Sequence, residues 1–380
     1  MPSSSDRANR RRERRRVRRR RRVALAAIVL AAAAVAGGLW LHGRSRHDDP
    51  PAAQSATHTQ HRTAAVQPPA PLPGYLLIAD RGNNRLLLVD GLKRVLWRYP
   101  RPGRAPGMPF RFDDDAFFTP GYTRIISNQE DQHTIEIISF PQGRLVWDYG
   151  HVNQIGSAAG YLHTPDDAYL LPNGIRTVAD AYNCRVLFIR QNGTIARMIG
   201  TTRVCRHAPP TTIGAPNGAT PLPNGGTLVS EIAGSWIDEF DANGRLVWAF
   251  QAPVSYPSDP QPLPNGRIML ADYARPGHIL IVDRYGHTLW RYGPASGPGA
   301  LDHPSLALPI GHGLVAVNDD YRDRVVVINI RRKQIVWQYG HTDVPGRGAG
   351  YLNTPDGMDL LPAAVAASSP VVQALARNAH

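Results

Sequence analysis

Six segments of this chain open on a short side chain that carries oxygen: Asp114, Asp166, Asn217, Ser258, Ser305 and Asp356. The position after each reads Asp115, Asp167, Gly218, Asp259, Leu306 and Gly357. If the segments stand around a common axis, these groups converge there. Carboxylate, amide and hydroxyl oxygens at adjustable spacing are what Ca²⁺ takes as ligands. The run Asp113, Asp114, Asp115 points the same way, because clustered carboxylates repel one another unless solvent or a cation offsets them. Asp, Asn and Ser after proline also have a plainer use, since they hydrogen-bond the backbone two residues on and fix the turn into a strand. Both readings stand at this point: a ligand or cation site at a channel mouth, or turn chemistry repeated in each copy.

Other reactive side chains are sparse. His151, His163, His303 and His312 fall near expected loops, with Asp302 beside His303. A histidine titrating near neutrality can act as a general base, and an exposed loop histidine is the competing reading for each. No nucleophile elbow, phosphate-cradling glycine loop or zinc-protease helix occurs, so no catalytic residue is assigned. Cys184 and Cys205 are too few for a disulfide scaffold or a four-cysteine zinc site. An oxidising compartment would allow them to bridge across the third segment; free thiols are the alternative.

The elements that position these groups come from an internal repeat. Each unit closes on a similar phrase: RVLWRY at Trp97, GRLVWDYG at Trp147, GTIARMIG with Arg197 in the tryptophan position, GRLVWAF at Trp248, HTLWRYG at Trp290 and KQIVWQYG at Trp337. Residues 164–200 show the full unit, with β-prone runs at 168–171, 176–179, 185–189 and 194–199. Pro172-Asn173-Gly174, Ala181-Tyr182-Asn183 and Gln191-Asn192-Gly193 supply the turns between them. The unit is therefore a four-stranded antiparallel meander. Such sheets bury their faces by packing radially, as in a propeller. The recurrent tryptophans read as packing between neighbouring sheets rather than as a stacking platform, and Arg197 predicts a looser outer strand in the third unit.

The two ends complement each other. The first unit starts at Tyr75 without the inner phrase, and the last phrase, TPDGMDLLP at residues 354–362, has nothing after it to complete a unit. A six-bladed β-propeller closed by the C-terminal strand follows, with no open sheet edge. An open solenoid or a pair of sandwiches is the alternative, but neither requires complementary half-units.

Charge and hydropathy organise the rest. The 380 residues carry a formal charge of +13, yet residues 1–22 alone hold twelve arginines against Asp6 and Glu13. Residues 23–41 contain no charge, long enough at about 1.5 Å per residue to cross most of a bilayer core. A basic flank holds its side in the cytoplasm, so the rest is expected outside. Ala34-Val35-Ala36 fits the competing reading, a cleaved signal peptide and a secreted body. The expected organisation is a basic cytoplasmic tail (1–22), a signal anchor (23–41), a Pro/Ala-rich disordered linker (42–74), the propeller (75–362) and a C-terminal tail (363–380) that is a short helix or unstructured. His42, His47, His58 and His61 are irregularly spaced and make no metal site. The arginines read as topology determinant and lipid contact, so no specific nucleic acid is expected as a partner.

The phrases VADAYNCRV and IADRGNNRL resemble the NHL-type propeller repeat. The GRLVW ending resembles repeats of quinoprotein-like propellers, and LPNG with its following strand is similar to arylsulfotransferase-like propellers. The resemblance spans residues 75–362 and implies fold more than activity. Quinoprotein dehydrogenases use larger rings and adjacent cysteines, which this chain lacks, so a pyrroloquinoline quinone site is not carried over. The expectation is a membrane-anchored extracytoplasmic module that binds a small molecule or a protein. The alternative is an enzyme at the same channel mouth: a metal-assisted hydrolase or lyase, or an arylsulfotransferase-like transferase.

Overall fold

The computed structural model describes residues 72–379. The basic tail, the expected span at 23–41 and nearly all of the linker lie outside the described residues. No helix among the described residues is long and apolar enough to cross a membrane.

Six four-stranded antiparallel sheets make up the described body. Blade 1 holds β1 (Gly74–Asp80), β2 (Arg85–Val89) and β3 (Val95–Tyr99). Blade 2 is β4 (Asp113–Phe118), β5 (Arg124–Gln129), β6 (Thr134–Ser139) and β7 (Leu145–Gly150). Blade 3 is β8 (Pro165–Leu170), β9 (Arg176–Asp180), β10 (Arg185–Ile189) and β11 (Ile195–Gly200). Blade 4 follows with β12 (Pro216–Pro221), β13 (Thr227–Glu231), β14 (Trp236–Phe240) and β15 (Leu246–Gln251). Blade 5 is β16 (Pro257–Leu263), β17 (Arg267–Asp272), β18 (His278–Val282) and β19 (Thr288–Tyr292). Blade 6 is β20 (Ala307–Gly311), β21 (Leu314–Asp319), β22 (Arg324–Asn329) and β23 (Gln334–Gly340). The innermost strand beside β1 is β24 (Met358–Pro362), paired Leu76 to Leu360 and Ile78 to Met358. The inner strands β24, β4, β8, β12, β16 and β20 touch in that order, and β20 touches β24. The body is a six-bladed β-propeller.

Burial explains the sequence of each strand. β9 and β10 lie between two neighbouring sheets and are buried at every position, so TVA and RVLFI run without alternation. The outer strand β11 has one wet face, and IARMIG alternates accordingly. The core is the set of interfaces between blades, such as Phe188, Ile213 and Val229 between blades 3 and 4.

Two side-chain devices recur. Buried ion pairs join Asp80 to Arg85 at 2.5 Å, Asp180 to Arg185 at 2.8 Å and Asp319 to Arg324 at 2.7 Å. The other oxygen of each aspartate accepts an N–H from the loop entering its own blade: Asn353, His163 and Asp302 respectively. The phrases that resemble NHL repeats are thus loop anchors. Four outer tryptophans latch their blade to the next. Trp97 donates to the Pro141 carbonyl, Trp147 to Gln191, Trp290 to Ile330, and Trp337 of blade 6 to Gly91 of blade 1. In blade 3 Arg197 stands in for the tryptophan: its guanidinium reaches the Asp241 carbonyl at 3.5 Å, a longer contact than the tryptophans make, and lies over Phe188 of its own blade.

The boundaries shift slightly from those expected. Leu72 is already part of the core and β1 begins at Gly74, so the body starts before residue 75. The C-terminal tail is two short helices, α1 (Ala363–Ser368) and α2 (Pro370–Arg377), with Ala366 and Val372 buried against blades 1 and 2.

Candidate functional site at the propeller axis

Each inner strand starts beside the axis, and four of them carry a register irregularity there. The shifts fall between Asp113 and Ala116, Pro165 and Ala168, Pro216 and Gly218, and Ser258 and Gln261. A bulge breaks the two-residue alternation of a strand, so consecutive side chains can face one side. That is why Asp114 and Asp115 both serve the axis, whereas ordinary pleating would turn one of them away. The acidic pairs lie within strands β4 and β8 rather than in turns before them, because each bulged strand already begins ahead of its pair, at Asp113 and Pro165. Among the described residues, none of Asp114, Asp166 and Asp356 caps the backbone two residues on, so the turn reading has no hydrogen bond behind it.

The expected residues divide into two rings. In the upper ring, the Arg81 guanidinium stands between three acids: Asp114, whose Oδ1 lies 2.6 Å from Nη1, together with Asp356 and Glu130. Its carbon also sits 4.1 Å from the centre of the Phe112 ring. Burial alone would lower the Arg81 pKa, but Asp114, Glu130 and Asp356 raise it well above the usual guanidinium range. Half-buried Asp166 completes one acidic group with Asp114 and Asp115, their ligand oxygens within 4.8 Å of one another. Asn217 is not free for a ligand. Its amide donates to Ser258 Oγ at 3.0 Å and its oxygen accepts from Ser230 Oγ at 2.9 Å. Ser305 is likewise engaged, donating to Asp320 Oδ1 at 2.9 Å.

The lower ring is Asp115, Asp167 and Asp259, all buried and with one oxygen each within 4.8 Å of the others. Asp167 Oδ2 accepts the Ala219 N–H at 3.0 Å, which leaves its Oδ1 unpartnered. The Oδ1 atoms of Asp115 and Asp259 are unpartnered as well. No basic side chain among the described residues pairs with this triad. Desolvation lifts Asp115 and Asp259 well above the carboxylate range, helped by the neighbouring acids, and pushes Asp167 up to about 7. Arg81 pairs directly with acids of the upper ring, whereas the lower ring has no ion pair among the described residues; the Ala219 N–H, the Tyr169 side chain and the more distant Arg81 offset its desolvation only in part.

Sequence reasoning missed Arg81, Glu130, Tyr273 and Asp320. All four occupy one repeat position, directly after the last residue of the second β1-, β5-, β17- or β21-type strand, but the residue type differs in each blade. Superposing the repeats at that turn would have exposed the position. Aromatic groups wall one side of the mouth. Tyr273 lies 5.2 Å from Tyr256 and 5.0 Å from His303, and His303 lies 4.4 Å from Tyr321, measured between ring centres. His303 Nδ1 is 2.6 Å from Asp302 Oδ1. The other candidate histidines stand apart: His151 packs on Tyr161, His163 against Tyr182, and His312 sits in an exposed turn.

The two cysteines are joined, with Cα atoms 5.1 Å apart. Their role follows from the repeat. Asn84, His133 and Asp323 accept the backbone N–H of Phe112, Thr164 and Thr354, the residues that lead into the next inner strand. Cys184 occupies this position in blade 3, where the disulfide holds the connecting loop instead.

No family model matches the sequence, and no curated protein matches it. Solved structures do resemble it. A protein of unknown function from Bacteroides caccae is similar over 75% of this chain and 98% of its own, at 18% identity and a TM-score of 0.53. A chain of a nidogen/laminin complex is similar over 75% of this chain and 97% of its own, at 12% identity and a TM-score of 0.52. The dihydro-heme d1 dehydrogenase NirN in complex with DHE covers 77% of this chain and 76% of its own, at 11% identity and a TM-score of 0.45. At these identities the likeness to the first two is one of fold.

Proposed function

We propose that this chain is a binding propeller held outside the cytoplasm by one N-terminal span, and that its axial well takes a divalent cation. The observation that carries the reading is the set of buried, partnerless Oδ1 atoms on Asp115, Asp167 and Asp259. An all-oxygen set of this kind suits Ca²⁺. The bound ion would close the floor of the mouth, leaving Arg81 and its acids to meet a small-molecule or protein ligand above it.

The test is a Ca²⁺ titration of the chelator-stripped full chain, followed by thermal unfolding. A ligand at about 100 times its Kd stabilises by about 2.7 kcal/mol. A saturable rise in Tm that disappears in the Asp115→Asn/Asp259→Asn variant supports the reading. No rise in the wild type, or an equal rise in the variant, removes it.

Anchoring rests on the uncharged stretch 23–41 behind twelve arginines. Protease added to intact cells should digest the body and spare the basic tail. Release of the body into the medium would favour cleavage after residue 36 instead. The NHL-like assignment of the repeats belongs to the same proposal and is supported by the three Asp–Arg anchors. So does the role of β24 as the clasp of the ring, supported by its pairing with β1.

A second reading, a metal-assisted hydrolase or lyase, is favoured by one observation: the His303–Asp302 pair beside the tyrosines of the mouth. An aspartate on Nδ1 orients Nε2 as a base. Turnover abolished by His303→Gln, with cation binding unchanged, would establish it over simple binding.

A further inference from the structure

Blade 4 lacks the guanidinium that blades 1, 3 and 6 use. Glu231 ends β13 where Asp80, Asp180 and Asp319 end their strands, but the residue paired opposite it is Trp236, not the arginine found at 85, 185 and 324. A second acid, Asp238, stands two residues along β14, where Leu87, Leu187 and Val326 stand in the other blades. Both acids are 0% exposed. Glu231 Oε2 accepts the Gly214 N–H at 2.6 Å, whereas no donor reaches either oxygen of Asp238, whose carboxyl stands against that of Glu231. Two carboxyl groups thus share a dry interior with no arginine or lysine to balance them.

What approaches them is His207. It lies in the loop leaving blade 3, two residues beyond Cys205, so the disulfide to Cys184 fixes the backbone from which it projects. Its ring stacks on Trp236, centres 3.8 Å apart and planes within 3°. Nδ1 then lies 3.2 Å from Glu231 Oε1 and 3.9 Å from Asp238 Oδ2, all three atoms within 4.8 Å of one another. Tetrahedral Zn²⁺ with bonds of about 2.0–2.1 Å separates its ligand atoms by about 3.3 Å, close to these spacings. The Gly214 N–H orients the glutamate from behind, as outer hydrogen bonds do in metal sites. A side chain at Gly214 would meet that oxygen, since a Cβ there lies 2.7 Å from it. The histidine is partly exposed, which leaves a fourth position toward solvent.

We propose that His207 Nδ1, Glu231 Oε1 and Asp238 Oδ2 bind Zn²⁺. One nitrogen and two carboxylate oxygens favour a first-row divalent ion over Ca²⁺. This site is separate from the axis and does not depend on the axial reading. It replaces, with a metal, the ion pair that anchors the connecting loop in blades 1, 3 and 6.

The experiment is a Zn²⁺ titration of the chelator-stripped full chain by calorimetry, run on the wild type, His207→Ala, Asp238→Asn and Asp115→Asn/Asp259→Asn. His207 sits on a loop and Asp238→Asn is isosteric, and folding of each variant is checked by near-UV circular dichroism. The expected result is one Zn²⁺ site in the wild type and the axial variant, with affinity lowered about 100-fold or more in His207→Ala and Asp238→Asn. Co²⁺ in its place should give visible absorption bands that the same two substitutions abolish. Absence of a saturable site in the wild type, or equal affinity and stoichiometry in all four proteins, overturns the proposal and leaves a carboxyl pair sharing a proton.

Discussion

Gly357 and Asp115 occupy the same space at the axis: a Cβ on the glycine would overlap the aspartate side chain. The Gly357 N–H also donates to the Asp114 carbonyl at 2.7 Å, so blades 1 and 2 meet here backbone to backbone. Asp115 is aimed at Asp167 and Asp259 because nothing stands at residue 357 to deflect it. Gly357→Ala should therefore cost about 1–3 kcal/mol, the usual penalty of overpacking a full interior. It should also abolish the Ca²⁺-dependent rise in Tm. Urea unfolding with and without Ca²⁺ measures both, and an unchanged Ca²⁺ response would separate the glycine from the site.

The lower ring also predicts an uncommon pH profile. The folded Asp167 carboxyl keeps its proton up to about pH 7, desolvation being the main cause, whereas the unfolded group loses it near 3.8. Glu136, buried between blades 1 and 2, behaves alike, with a folded value of about 8 against 4.5. Across that window the folded state binds more protons, so stability falls as pH rises. The contribution is fully present below about pH 4 and lost by about pH 8, on the order of 2–4 kcal/mol for each group. Without cations the protein should be more resistant to urea at pH 5 than at pH 8. Asp167→Asn should flatten its share of the slope, and Ca²⁺ should do the same by stabilising the ionised form. Stability rising from pH 5 to 8 in chelator would contradict this account.

The loop anchors should matter more to stability than any exposed charge. Asp180 joins Arg185 and the His163 N–H, and Arg185 continues to the carbonyls of Ser157 and Tyr161. Removing one member leaves a buried charge uncompensated, which costs about 3–5 kcal/mol. Asp180→Ala should lose that much by chemical denaturation. The double variant Asp180→Leu/Arg185→Met should recover part of it, because no lone charge remains. A double variant worse than the single would mean that the hydrogen bonds to the loop outweigh the charge.

How much of this was legible depended on whether residue type recurs with position. In the third repeat the sequence implies strands at 168–171, 176–179, 185–189 and 194–199, against β8 to β11 at Pro165–Leu170, Arg176–Asp180, Arg185–Ile189 and Ile195–Gly200. The inner strand differs most, because a bulge is invisible to alternation and adds Pro165 and the two aspartates to the strand. The aspartates recur and were found. Arg81 could not be found that way: its counterparts are Glu130, Ala181, Ile232, Tyr273 and Asp320, types selected by each blade's neighbours at the axis and not by the strand. His207 was hidden for another reason, since its partners are set by a disulfide-held loop crossing to blade 4.

The latch between blades gives the last prediction, because blade 3 carries an arginine in the tryptophan position. Four outer tryptophans donate to a carbonyl of the following blade at 2.8 to 3.0 Å, including Trp337 to Gly91, which joins the last blade to the first. Arg197 reaches its carbonyl only at 3.5 Å, and burial lowers its pKa because the guanidinium is partly removed from water. Arg197→Trp would exchange a partly desolvated charge for an indole whose N–H sits where Trp147 places its own. A net hydrogen bond is worth about 0.5–1.5 kcal/mol, and the variant should gain about that much. Trp337→Phe removes the same bond and keeps most of the ring, so it should lose a similar amount. Because that latch joins residues 246 positions apart, its loss should appear chiefly as faster unfolding, measured by stopped-flow in urea. An Arg197→Trp protein less stable than the wild type would show that the cation–ring contact of Arg197 with Phe188 of the same blade, at 3.6 Å, contributes more than the latch to blade 4.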